Sequence, residues 1–292
     1  MNIVVCVKQV VYPGVPFEID ETTGSASQKE STPVYTTNPV DRCALEEAIK
    51  LREGFGGQVI VLTVGPQQVK QAIYSCLAGG ADKGIHLLAD NSIISDPYTT
   101  AFALGNSITD LNADVILCGT SSLDEGSAQV PPTLAELLHL PQVTGVVALE
   151  VGVDGKHARA TRRLERGNRE ILECPLPAVI AVDTSINKPR YISTHSLEVA
   201  SVKNIQTHDL GVHGLTSDEG VGVRPLTRVL RMTPPRIRPK SMVAPDSSMS
   251  GADRLKFIMS GGIDKKEGDL MEGPVDNLAQ KVMKILQDEG LI

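Results

Sequence analysis

One part of the chain passes from an apolar run into a polar loop and reads Val115-Ile116-Leu117-Cys118-Gly119-Thr120-Ser121-Ser122-Leu123-Asp124-Glu125-Gly126-Ser127-Ala128-Gln129-Val130. The run before the loop is apolar throughout, which is typical of a strand buried on both faces of a parallel sheet. Leu134, Leu137 and Leu138 then follow at helical spacing. This strand–loop–helix order predicts one unit of an α/β fold.

Further apolar runs alternate with amphipathic patterns along the first 150 residues. The runs cover residues 3–7, 59–64, 85–88 and 143–149. The helical patterns cover residues 44–49, 69–76 and 101–108. Strands that alternate with helices predict right-handed crossovers and a doubly wound, mostly parallel sheet with helices on both faces.

Two segments depart from this alternation and predict a small antiparallel addition. Residues 9–37 are too long for a plain connector, and residues 17–19 fit one arm of a hairpin. Residues 159–162 and 169–172 fit short antiparallel arms around Gly167 and Asn168. Residues 177–182 then predict one more buried strand.

The last third of the chain has a different character. The regular spacing of apolar residues fades after about residue 183. Residues 220–245 carry six basic side chains and no acidic one. Pro274 predicts the start of a final amphipathic helix. We therefore expect an α/β domain over residues 1–200 and an extended C-terminal arm with a terminal helix over residues 201–292. The arm would wrap a partner chain, and a solvated basic linker is the alternative.

Composition excludes several classes of protein. Aromatic residues make up 3% of the chain and the net charge is −7, which argues against a nucleic-acid-binding protein. No apolar run approaches the roughly 18 residues of a membrane span, and the N-terminus does not resemble a signal peptide. The cysteines are far apart and form no CxxC pair, which predicts reduced thiols in a cytoplasmic protein. They are Cys6, Cys43, Cys76, Cys118 and Cys174.

The carboxyl ends of parallel strands are the expected binding edge of such a sheet. Backbone N–H and hydroxyl groups of loop 119–130 can bind phosphate oxygens, and the helix that follows adds a favourable dipole. Simple capping by Asp124 or Ser127 is the alternative. Asn38 and Pro39 predict a helix start that is a second candidate site, although it too fits a cap alone. The sequence thus predicts a phosphate or nucleotide site.

Motifs for catalysis are missing from the sequence. There is no GxGxxG turn after the first strand and no GxxxxGK[ST] loop, and the six histidines share no metal spacing. We therefore assign no catalytic residue and no metal ligand. A cleft without an acid, base or nucleophile favours a protein whose chemistry belongs to a bound cofactor.

Six segments in the same order together resemble the β subunit of electron transfer flavoproteins. They are Val4-Val5-Cys6-Val7-Lys8-Gln9-Val10, Asn38-Pro39-Val40-Asp41 with Ala44-Leu45-Glu46-Glu47-Ala48, Leu62-Thr63-Val64-Gly65-Pro66, Gly79-Gly80-Ala81-Asp82, Leu117 through Val130, and Leu176-Pro177-Ala178-Val179 with Asn187-Lys188-Pro189-Arg190-Tyr191. They cover about residues 1–200.

The resemblance implies a heterodimer with an α subunit that carries the electron-transferring FAD, around which the C-terminal arm would wrap. It also implies a nucleotide site in this chain, which holds AMP in simple carriers and a second FAD in electron-bifurcating members. By matched position, the site includes residues 119–130 together with Cys6, Asn38, Pro39, Val40, Asp41 and Val64.

Asp41 and the segment Asp96-Pro97-Tyr98-Thr99-Thr100 resemble the bifurcating branch, which implies NAD binding near Gly80, Asp96, Thr99 and Thr100. FAD is then the expected cofactor of this site, and AMP is the alternative. The expected function is electron relay through flavin between a donor, with NADH as the candidate, and an acyl-CoA dehydrogenase or other redox partner. The alternative is an adenine-nucleotide-binding structural or sensing module without electron transfer.

Overall fold

The computed structural model describes residues 1–12, 14, 17–20, 25–28, 33–90, 96–210, 225–227, 229–230, 245, 249–259 and 273–288. The chain divides into two compact units, Met1–Pro234 and Pro235–Ile292. The assignment of residues 201–292 to an arm stays a prediction, and most of the basic segment 220–245 lies outside the described residues.

Strands are numbered here in chain order within the described residues. They are β1 (Asn2–Cys6), β2 (Gln9–Val11), β3 (Phe17–Asp20), β4 (Ser25–Gln28), β5 (Tyr35–Thr37), β6 (Gln58–Gly65), β7 (Lys83–Leu88), β8 (Val115–Gly119), β9 (Gln142–Val151), β10 (His157–Arg163), β11 (Arg169–Pro175), β12 (Ala178–Val182) and β13 (Gln206–Asp209). Nine of them form one sheet in the order β11-β10-β9-β12-β8-β1-β6-β7-β13.

This sheet is mostly parallel, as predicted. β1 pairs in parallel with both β6 and β8. The pairs β8 with β12, β12 with β9, β6 with β7 and β7 with β13 are also parallel. β10 runs antiparallel to β9 and to β11, which confirms the predicted antiparallel addition. The hairpin predicted at residues 17–19 is the antiparallel pair of β3 and β4. The sequence did not predict the second antiparallel pair, β2 with β5, because three-residue strands carry too little pattern.

The helices in the described residues are α1 (Pro39–Phe55), α2 (Lys70–Gly79), α3 (Pro97–Thr109), α4 (Val130–Leu138), α5 (Thr194–Ser201), α6 (Gly251–Met259) and α7 (Val275–Asp288). α1 and α2 pack on one face of the sheet, and α3 and α4 pack on the other. Alternate residues of β1 serve the two faces, since Val5 joins the first cluster and Val4 the second. The prediction of helices on both faces is therefore confirmed.

Two elements of the first unit, α5 and β13, lie in the region where the sequence shows no periodicity. All four residues of β13 are exposed although the strand pairs with β7, because β13 is the edge of the sheet. An edge strand without a buried face carries no apolar alternation to detect. In the second unit, α7 begins directly after Pro274, as predicted. Within the described residues, every helix is too short or too polar to cross a membrane.

Candidate functional site

A cleft lies at the carboxyl ends of β1, β6 and β8, with a volume of about 870 Å³ including the space open to solvent. Most of the predicted site residues line it. They are Cys6, Asn38, Asp41, Val64, Gly119, Thr120, Ser121, Ser122, Glu125, Ser127, Ala128, Gln129 and Val130.

Some predicted residues belong to the same segments without lining the cleft, and other lining residues were not predicted. The predicted residues that do not line the cleft are Pro39, Val40, Leu123, Asp124 and Gly126. The lining residues that were not predicted are Val7, Lys8, Gln9, Val69, Pro97, Leu104, Cys118 and Pro131. Several of these, such as Lys8 and Gln9, directly follow a strand that ends at the cleft, so the carboxyl-edge rule could have found them.

Asp41 ties together the three chain segments that form the floor of the cleft. One carboxylate oxygen accepts the backbone N–H of Lys8 at 2.8 Å, after β1. The other accepts the Asn38 side-chain amide at 3.0 Å and the backbone N–H of Gly119 at 3.1 Å. Burial raises the pKa of Asp41 to about 7, against the opposing effects of these donors and of the Lys8 charge.

Asn38 precedes the first turn of α1, but its side chain makes no capping hydrogen bond there. Its amide donates to Asp41 and to the backbone oxygen of Ser121 at 3.0 Å, and its oxygen accepts the N–H of Leu123 at 3.2 Å. Asn38 is 1% exposed. The side chain therefore holds loop 119–130 in place, which a simple cap would not do.

The backbone of loop 119–130 turns sharply just before α4. Gly126 and Ala128 have φ values of +62° and +55°, whereas Gln129 has a φ of −94°. Successive residues with φ of opposite sign form a concavity of N–H groups that favours anions. Within the described part of the chain, the N–H groups of Ser127, Ala128, Gln129 and Val130 have no protein acceptor. They are available to a ligand at the positive end of the helix dipole.

Lys8 forms ion pairs with two carboxylates of loop 119–130. Its ammonium lies 3.0 Å from Asp124 and 3.3 Å from Glu125. Burial raises the pKa of Asp124, but hydrogen bonds from Ser122 and the nearby Lys8 charge outweigh it and hold that pKa below its ordinary value. These ion pairs link the end of β1 to the loop, so Asp124 helps to hold the loop in position. Asp124 itself does not line the cleft.

Of the residues that the resemblance connects with NAD, the structure brings only Thr100 to the cleft. Asp96 is fully buried and caps α3 by accepting the N–H of Thr99 at 3.0 Å. The same carboxylate also accepts the N–H of Thr227 at 2.9 Å. Thr99 is 2% exposed, so both residues lie behind the cleft wall.

Gly80 is not near these residues. It ends α2 with a φ of +121°, and its carbonyl accepts a hydrogen bond from Arg52, which also binds Asp82. Asp82 in turn accepts the N–H of Val59 at the start of β6. Gly80 therefore lies at the amino edge of the sheet, opposite the cleft, and the expected cluster of Gly80 with Asp96 and Thr99 does not form.

The family is visible in comparisons with known proteins. The family model for the electron transfer flavoprotein domain matches residues 29–210. The chain belongs to the electron transfer flavoprotein family. As a member of this family, the chain has a role in electron transfer.

Three relatives named electron transfer flavoprotein subunit beta show how far the similarity extends. The protein of Thermoanaerobacterium thermosaccharolyticum is 38% identical over 217 residues, which cover 73% of this chain and 81% of that protein. The protein of Clostridium acetobutylicum is 31% identical over the full length of both chains. The protein of Mycobacterium bovis is 31% identical over 89% of this chain and 98% of its own length.

The flavoprotein chain has five cysteines, all buried and unpaired. Cys6 and Cys118 lie opposite each other on β1 and β8 and both line the cleft. Among the described residues, no group of His, Cys, Asp and Glu side chains could hold a metal ion. The cleft offers backbone N–H groups, hydroxyl and amide side chains, apolar walls and the charged side chains of Lys8, Asp41 and Glu125.

An ion pair on α1 holds the segment that follows β12. The Glu46 carboxylate accepts the backbone N–H of Arg190 at 2.9 Å and its guanidinium Nε at 3.0 Å. The Glu46 side chain is 8% exposed. Burial raises the pKa of Glu46, but the hydrogen bonds and charge of Arg190 outweigh burial and lower it.

We expect Arg190→Ala to lower the free energy of unfolding by about 2 kcal/mol at neutral pH, since it leaves a buried carboxylate without its partner. Urea denaturation would measure this loss, with the exposed Arg169→Ala as a matched control. The lowered pKa of Glu46 means that the pair stabilises the fold above the ordinary value of 4.5, and that this contribution disappears as the pH falls through the lowered pKa. A deficit that stays constant into strong acid would contradict this account.

Proposed function

We propose that this chain is the β subunit of an electron transfer flavoprotein heterodimer and that its cleft binds an adenine nucleotide. The observation that carries the proposal is the concavity of N–H groups at Ser127–Val130, which opens on a cleft at the carboxyl edge of the sheet. The structural or sensing module predicted as the alternative shares this cleft, so only redox measurements separate the two.

The residues of the cleft fit a nucleotide. Backbone donors of loop 119–130 would hold phosphate oxygens, and the apolar side chains of Cys6 and Val64 would line the wall of the adenine pocket. Asn38 and Asp41 would position the ribose or adenine from the floor of the cleft. Bound flavin would supply the electron-transfer chemistry, and the chain would orient it and exclude water.

We propose FAD as the nucleotide, with AMP as the alternative. The cleft continues from the loop to the start of α3, where Pro97, Thr100 and Leu104 line it, so it extends beyond the helix N-terminus that would hold phosphate. NADH as the electron donor, and electron bifurcation with it, belong to the same proposal. Their support in the described structure is limited to Thr100, because Asp96 and Thr99 are buried.

The proposed partners are an α subunit that carries its own FAD and an acyl-CoA dehydrogenase or other redox protein. The second unit supports the first of these, since α7 exposes large apolar side chains. Val275 is 80% exposed, and Val282 and Met283 are about half exposed. Such side chains call for a covering surface, which residues 201–292 would find on the α subunit. The buried thiols suit a cytoplasmic protein.

The test is to purify the heterodimer, denature it and identify the nucleotides released per complex. We expect two FAD molecules, or one FAD and one AMP if the alternative is correct. NADH-dependent bleaching of the flavin absorbance would support the proposed donor. Release of no nucleotide beyond the α subunit's FAD would contradict the proposed site, and flavin that no donor reduces would favour the sensing module.

A further inference from the structure

A second cavity adjoins the proposed phosphate site on the side away from α3. It is lined by Thr120, Ala128, Pro131, Pro132, Gln142, Thr144 and Arg162. Thr120, Ala128 and Pro131 line both cavities. The second cavity therefore begins where the N–H groups of loop 119–130 end.

Arg162 is the charged group of this second cavity, and its hydrogen-bonding capacity is largely unused. A guanidinium has five N–H donors. One terminal nitrogen donates to the Thr144 hydroxyl at 3.3 Å, and the other lies 3.8 Å from Glu170 in a pair that is partly exposed on both sides. The buried Nε–H has no acceptor among the described residues. The two terminal nitrogens of Arg162 therefore keep N–H donors that a ligand in this cavity could use.

We propose that Arg162 forms a second anion subsite, so that the nucleotide site prefers a ligand with two linked phosphates to a nucleoside monophosphate. This inference rests on the proposed function. The first phosphate would lie on the N–H groups near Ala128, and the second would accept hydrogen bonds from the terminal nitrogens of Arg162 in the adjoining cavity. Arginine suits this role because its planar guanidinium can donate hydrogen bonds to two phosphate oxygens at once.

The test compares AMP with ADP by isothermal titration calorimetry on the purified complex after removal of its bound nucleotide. We expect the wild-type protein to bind ADP about tenfold more tightly than AMP, the effect of one charge-assisted hydrogen-bond pair. Arg162→Gln should abolish this preference while leaving AMP affinity within about twofold. Arg162→Lys should keep part of the preference, because it keeps the charge.

Arg159→Gln is the matched control, since Arg159 lies on the same strand, is exposed and lines neither cavity. Equal wild-type affinities for AMP and ADP would overturn the subsite and leave the proposed nucleotide site standing. A loss in Arg162→Gln that is equal for both nucleotides would overturn it too. Absence of binding for either nucleotide would overturn the proposed function together with the subsite.

Discussion

The free energy of unfolding should fall on the order of 4 kcal/mol between about pH 4 and about pH 7 through the titration of Asp41 alone. The pKa of this carboxyl is raised from its ordinary value of 3.8 to about 7 in the folded protein. Between these values the folded state retains a proton that the unfolded state has released. Stability from this group is therefore complete below about pH 4 and is lost as the pH rises through 7.

The measurement is a series of urea denaturations across this pH range for the wild-type protein and for Asp41→Asn. The variant cannot titrate at this position, so the difference between the two curves should follow the ionisation of Asp41. Asp110→Asn serves as the control, because Asp110 is an exposed residue at the end of α3. A difference curve that is flat from pH 4 to 7 would contradict the raised pKa.

Gly119→Ala should cost about 3 kcal/mol of stability and should also empty the nucleotide site. A Cβ atom at position 119 would overlap Oδ1 of Asp41 and would lie 3.0 Å from Cβ of Val40. The neighbours are a buried carboxylate and the first turn of α1, so neither can move without breaking the hydrogen bonds to Lys8 and Asn38. The cleft floor and loop 119–130 would shift together.

Thermal unfolding and the nucleotide content of the purified protein would measure both effects. Gly54→Ala is the matched control, since a Cβ at this position in α1 would meet nothing within 4 Å. That substitution should leave nucleotide content unchanged and hold or raise stability by up to about 1 kcal/mol. Full nucleotide content in Gly119→Ala would show that the close contact with Asp41 does not shape the cleft.

Much of the site could be predicted because its residues follow apolar strands directly in the sequence. Cys6, Val64 and Gly119 end or nearly end their strands, and a doubly wound sheet places all such ends at one edge. The same rule would have placed Gly80 correctly. Gly80 ends a crossover helix, which returns the chain to the amino edge of the sheet. A resemblance between short segments does not show at which edge of the sheet a segment lies.

Other features depend on contacts between residues that are distant in sequence. The bridge from Lys8 to Asp124 spans 116 positions, and the contact from Asp96 to Thr227 spans 131. Asn38 has the residue type of an ordinary cap, so nothing local indicates that its amide binds Ser121. These contacts form only when distant segments pack together. The preference of a single residue type for a cap position does not predict them.

Local patterns along the chain were enough to predict the α/β class, the strands at the centre of the sheet, the start of α1 and the polar loop before α4. These features follow from local patterns, since burial on both faces requires continuous apolar strands and a helix start requires particular residues. The folded chain was needed to show that Asp41 is buried with three donors, that Asp96 lies behind the cleft and that Arg162 adjoins the loop. Burial, pKa and unmet hydrogen bonds depend on which distant segments meet, which is a property of the packed chain.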